Sequence, residues 1–217
     1  MRKRFVGLFA TVALLATAPV QAQAVHFQFT DAGAGNNAFG IYMGTYGGTW
    51  DFLGPDAHHI GFNCVDFFHE VGFGQQWDAN ISSLGNGDIG LSRHPGSIET
   101  YREAAWLISN YSATNVQATQ STLWNLFNSP GTNWPSDPTL LAQAQAPHPD
   151  FDYSGWYVVT DVNANGAADA SSVQEFVVYD PSVHITSAPE PASLTLLGTG
   201  LIGLIGIGLR RRRKNAQ

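Results

Sequence analysis

Cys64 is the only cysteine in the chain, and it lies in Phe62-Asn63-Cys64-Val65-Asp66, an apolar segment with a carboxylate two residues beyond the thiol. A lone thiol can act as a nucleophile or simply fill a core, and free cysteine is among the most buried residue types. Gln120 is a second unusual residue. Val116, Leu123 and Phe127 recur around it at helical spacing, which puts its carboxamide on an apolar stripe. There an amide costs free energy unless it is hydrogen-bonded or chemically used. A third candidate is Asp161-Val162-Asn163-Ala164-Asn165-Gly166, followed by Asp169. The oxygens of Asp161, Asn163, Asn165 and Asp169 around a glycine turn resemble a calcium loop, but Ser172 stands where a bidentate glutamate would close it. Calcium binding there would be weak, a plain hairpin turn at Asn165-Gly166 serves as well, and no other cofactor is expected.

Other chemistry finds no pattern. His58 and His59 are adjacent and would face opposite sides of a strand, and His69-Glu70 lacks the second histidine of a metalloprotease helix. There is no nucleophile elbow or phosphate loop, and no dinucleotide fingerprint that opens a helix, so no enzyme is expected.

The elements that must position these residues are mostly strands. Val25 to Phe29, Phe39 to Tyr46, His59 to Phe68 and Gln76 to Ile81 alternate and are separated by turn residues such as Gly85-Asn86-Gly87-Asp88. Ser97 reads as an N-cap with Glu99 in the first turn, and Ile98, Tyr101, Ala105 and Ile108 give a helix to about Asn110. Thr114 and Gln117 form a capping-box pattern that opens a second helix, the one carrying Gln120. A Pro- and Asn-rich connection from Ser129 to Pro149 contains a short helix over Thr139 to Ala146. Trp156 to Thr160 and Val173 to Tyr179 close the region as a strand pair. The fold expected is α+β: one strand-dominated domain of antiparallel sheets with an inserted helix pair, plus a C-terminal transmembrane helix.

Signals frame this domain. Arg2-Lys3-Arg4, an apolar run from Phe5 to Ala18 and Ala22-Gln23-Ala24 read as a signal peptide over residues 1–24. At the other end Pro189-Glu190-Pro191 precedes an uncharged run from Ala192 to Leu209 and the cluster Arg210-Arg211-Arg212-Arg213-Lys214. The run is long enough to cross a bilayer with its basic end on the cytoplasmic side. These three ordered parts, over residues 188–214, resemble the PEP-CTERM sorting signal. The resemblance implies processing by an exosortase, anchoring in the inner membrane through helix 192–209, and then a place at the cell surface or in the extracellular matrix. Residues 25–187 would be the extracytoplasmic domain. Between Val25 and Pro191 the only basic side chains are Arg93 and Arg102, against all 17 acidic residues of the chain. Such a surface repels nucleic acid, and an oxidising compartment makes the unpaired Cys64 the more notable.

Cys64-Val65-Asp66 on a strand and Thr119-Gln120-Ser121-Thr122-Leu123-Trp124 on a helix together resemble the two signatures of bacterial thioester domains. The second signature there reads Thr-Gln-x-Ala-Ile-Trp, so Thr122 and Leu123 depart from it. In surface adhesins with such domains the cysteine sulfur and the glutamine acyl carbon form an internal thioester. The resemblance therefore nominates Cys64 and Gln120, with Trp124 packed beside them and a surface amine as target. The alternative is a reduced, buried Cys64 in a structural protein that binds exopolysaccharide or matrix non-covalently, with tryptophans as sugar-stacking faces.

Overall fold

The computed structural model describes residues 24–33, 37–38, 40–51, 58–127, 137–164 and 172–183, all within one compact unit, Ala22–Thr186. Strands β1 (Val25–Asp31), β4 (Thr45–Trp50), β5 (His58–Cys64), β6 (Gln76–Ser83), β7 (Trp156–Asp161) and β8 (Phe176–Tyr179) close an antiparallel barrel in the order β1-β4-β5-β8-β7-β6. The short strands β2 (Asn37–Ala38) and β3 (Ile41–Tyr42) form a separate hairpin. Closure leaves the barrel with no unpaired edge.

Alternation decides what fills the barrel. Ile60, Phe62 and Cys64 of β5 point inward and meet Phe27 and Phe29 of β1, Trp50 of β4 and Phe176 of β8. The Phe62 and Phe176 rings meet edge to face at 4.7 Å and those of Phe27 and Trp50 at 5.4 Å. Each such side chain contributes roughly 1.5–3 kcal/mol of burial. On the outer wall, Trp156, Val158 and Val177 belong to a second core with Val65, Leu107 and Leu123. All six residues of β7 are therefore buried, whereas β1 alternates between buried and more exposed positions.

The second core is the footprint of the helices inserted between β6 and β7: α1 (Ile98–Ser109), α2 (Val116–Leu126) and α3 (Pro138–Ala144). The expected helix pair is thus a layer of three. The short helix of the connection packs against both others, because Asp137 caps it through Thr139 N and Leu140 N, and Pro138 presets its first turn. Of the two capping expectations, one is corrected. Ser97 is the N-cap of α1, but its side chain makes no capping bond. Helix α2 begins after Asn115, not Thr114, and Asn115 Oδ1 turns back to Ser112 N at 2.7 Å. The late strand is also shorter than expected, starting at Phe176, since Glu175 is drawn into side-chain bonding described below.

Among the described residues no helix is long and apolar enough to cross a membrane. Residues 1–23 of the expected signal peptide 1–24, the sorting motif Pro189, Glu190 and Pro191 and the expected span 192–209 lie outside them.

Gly48 tests the tight filling of the barrel. A Cβ built there would stand 2.4 Å from both the Gln28 carbonyl oxygen and the Phe62 ring. Gly48→Ala should destabilise the domain by about 1–3 kcal/mol, read as a lower denaturant midpoint with unchanged slope. A midpoint equal to wild type would contradict this packing.

Candidate functional site

Cys64 ends β5, inside the barrel and fully buried, and pairs with Phe176. Helix α2 crosses that end of the barrel with Thr119 through Trp124 all buried. Gln120 Nε2 donates to the Cys64 carbonyl oxygen at 2.8 Å. Its Oε1 accepts from the Tyr111 hydroxyl at 2.9 Å and from Gly44 N at 3.4 Å. Gly44 has a φ of 110°, which a side chain would resist, and this backbone turn is what aims its N–H at the amide. The structure thus brings together Cys64 and Gln120, two residues 56 apart in sequence.

The thiol donates to the Asp66 carbonyl oxygen at 3.0 Å. Its pKa is pushed up to about 12, chiefly by burial and then by the Asp66 charge, partly offset by hydrogen bonding with the Asp66 backbone and the Trp124 indole. Trp124 is therefore beside the sulfur, and its ring meets Phe67 at 4.9 Å. Thr122 satisfies its own hydroxyl on Ala118 O at 2.7 Å, so a threonine fits where an alanine would. Chemically, two donors aimed at one amide oxygen are an arrangement that stabilises negative charge developing there when a nucleophile adds to the adjacent carbon.

A buried polar network holds this site, and sequence reasoning missed it. The Glu175 carboxylate accepts from Arg93 N at 2.7 Å, Thr160 Oγ1 at 2.6 Å and Tyr101 Oη at 2.5 Å. Burial raises its pKa, and those three hydrogen bonds oppose the rise. The Arg93 guanidinium reaches Asp66 Oδ2 at 3.1 Å and Val173 O at 2.9 Å, and also bonds Ser172 Oγ. His69 Nδ1 lies 2.5 Å from Asp66 Oδ2, and Phe68 N donates to Asp66 Oδ1 at 3.1 Å. The loop that follows Cys64 is thereby tied to the segment before α1 and to the approach of β8. A signal was available: Glu175 interrupts an apolar run, and Arg93 is one of only two cations in an acidic region.

The remaining candidates are spread out. Asp161 is buried, and its carboxylate accepts from Asn163 N at 2.8 Å and Val173 N at 2.9 Å, which braces the loop. Asn165 and Asp169 lie outside the described residues. Among the described residues no three His, Cys, Asp or Glu side chains group as a metal site. His58 pairs with Asp180 at 3.0 Å, and His59 is exposed.

Residues 187–213 match a family model described as the PEP-CTERM protein-sorting motif. That motif implies a protein exported and sorted to the cell surface, with an exosortase as its processing partner. No curated protein and no solved structure matches the chain.

Arg93→Met would leave the buried Asp66 carboxylate without its cation and should cost about 3–5 kcal/mol in denaturant unfolding. Because Asp66 O also holds the Cys64 thiol, the same change in a Gln120→Ala background, where the thiol stays free, should in addition speed alkylation of the folded state. Unchanged stability would show that the ion pair does not hold the loop.

Proposed function

We propose that this is a surface adhesin in which Cys64 and Gln120 condense into an internal thioester that a surface amine then attacks. The observation that carries the reading is the Gln120 carboxamide, seated against Cys64 with Tyr111 O–H and Gly44 N–H on its carbonyl oxygen. The PEP-CTERM motif supplies the location such an adhesin needs.

The steps balance as follows. Sγ adds to Gln120 Cδ, the oxygen takes the developing charge, Nε2 leaves carrying the thiol proton as ammonia, and the S–C bond remains. A target amine then adds to the same carbon and expels the thiol, leaving an amide to the protein and Cys64 as S–H again. Neither step needs an oxidant or a metal. The thiol is neutral at ordinary pH, since burial pushes its pKa up to about 12, so attack depends on proton transfer to the departing nitrogen and on the two oxygen donors. Inner-membrane anchoring before processing belongs to the same reading, through the apolar run from Ala192 to Leu209.

Protein purified from exporting cells should be lighter than its sequence by one ammonia, with Cys64 resistant to alkylation even after denaturation, and should capture a fluorescent amine. Gln120→Ala and Cys64→Ser should each abolish capture, and Tyr111→Phe should slow thioester formation about tenfold to a hundredfold. A wild-type mass without ammonia loss, with Cys64 alkylated once denatured, would reduce the pair to core packing and favour non-covalent matrix binding. Replacing Pro189-Glu190-Pro191 by alanines should leave the tail attached, seen as an unprocessed C-terminus; a normal mature end would remove the exosortase from the account.

A further inference from the structure

A cavity of about 260 Å³ opens at the end of the barrel where Cys64 lies. Its walls are aromatic: Phe29 and Tyr46 form the floor side, while Phe73 and Tyr42 stand at the rim, exposed by 62% and 41%. Phe73 meets Phe29 at 5.1 Å and Tyr42 edge to face at 5.8 Å, so the rim rings are braced and not loose. The exposed carboxylate of Glu70 lines the same cavity. So does Gln174, whose Oε1 is buried with no hydrogen-bond partner among the described residues. A buried acceptor left without a donor costs on the order of 1–3 kcal/mol, which a ligand bearing a donor would recover.

The polar demands of the cavity are one-sided. The Tyr46 hydroxyl donates to Tyr42 O at 3.0 Å and is spent there. Both arginines of the domain are engaged elsewhere, Arg93 with Asp66 and Arg102 with Glu99. What remains unmet is a carboxylate, the Gln174 carboxamide oxygen and ring faces, the Gln174 NH2 being the cavity's one side-chain donor besides the spent Tyr46 hydroxyl and the rim Tyr42. A group that is all donor, positively charged and attracted to aromatic faces answers all three, and an alkylammonium ion is that group. A sugar ring would want donors for its own oxygens as well. The volume also lies below the roughly 300–1,000 Å³ of pockets for drug-sized ligands, which suits a single side chain better than an oligosaccharide.

We infer that this aromatic cavity binds an unbranched primary alkylammonium group, of the kind that ends a lysine side chain, and docks the amine-bearing partner beside Gln120. The wall makes the connection: Tyr42 and Tyr46 line the cavity, and Gly44 between them touches the Gln120 carboxamide through its N–H. The docking role rests on the thioester reading, but the binding itself does not.

The probe is n-butylammonium chloride, titrated into the full chain carrying Cys64→Ser, which cannot capture covalently, with aromatic ring-proton shifts followed by NMR. Saturable binding that perturbs the Tyr42 and Phe73 rings is expected. It should weaken about fivefold or more in Glu70→Gln and at raised salt, and about twofold to fivefold in Phe73→Ala. Both side chains are exposed, so both variants should fold, and a thermal melt checks that they do. Equal binding of uncharged n-pentanol, preferential binding of glucose or glucosamine, or unchanged affinity in Glu70→Gln would each overturn the proposal. Loss of butylammonium binding with ammonia loss still seen in wild type would refute the cavity alone. Binding in Cys64→Ser together with a full-mass wild type would refute the thioester alone.

Discussion

The rest of the structure hangs on the burial of one carboxylate. Glu175 sits at the seam between barrel and helices, fully enclosed, and takes a hydrogen bond from each of three pieces of chain: Arg93 before α1, Tyr101 on α1 and Thr160 on β7. An enclosed carboxylate is costly unless each lone pair it presents is met, so these three elements have little freedom to shift independently. Arg93 then carries the constraint onward, because its side chain neutralises Asp66 and ties the chain after Cys64 to the approach of β8. A buried ion pair is weak support for stability by itself, since desolvation offsets much of its attraction. Its consequence here is geometric: it fixes where Asp66 O, and with it the Cys64 thiol, can be.

Cys64 and Gln120 meet because two periodicities converge. Inward alternation on β5 delivers residues 60, 62 and 64 to the barrel interior, and the helical repeat of α2 delivers Gln120 to the face that caps the barrel end. The sequence is readable to that level because apolar spacing is a local property. Gly44 and Tyr111 were not readable as partners of Gln120. One is a turn glycine and the other a loop-edge tyrosine, and neither carries a pattern until the fold brings it across the site.

The same distinction separates what sequence disclosed of the fold from what it did not. Strand runs, the helix order and the sorting tail follow from composition over short windows. Barrel closure does not, since it depends on β6 returning to β1, a long-range pairing that leaves no local mark. The cap of α2 was misplaced for a related reason. Thr114 has the right residue type, but Asn115 uses its side chain to brace the preceding turn and the helix starts after it. The Glu175 network escaped because a charged residue in an apolar run reads as an outward-facing position, whereas the helix layer covers that wall and turns the outside into a second core.

The barrel also separates the two ends of the described chain from its candidate chemistry. Val25 begins β1 near Trp50 and Ala79, and Val183, the last described residue, is buried and bonded by the Tyr157 hydroxyl at the start of β7. Strand register puts Cys64 at the opposite end of β8, against Phe176, while Tyr179 faces Trp156. Both ends of the domain chain therefore leave from one rim, and the Cys64–Gln120 pair and the aromatic cavity occupy the other. Because Val183 is pinned in the core, a pull on the chain beyond it would reach the barrel first through Val183 and β8. The Cys64 end of β8 is the very point at which Glu175 and its donors are anchored. β8 spans the two rims, and the most constrained polar network sits just before it begins, at the Cys64 rim, so the end of the barrel that carries the pair is the more rigidly held.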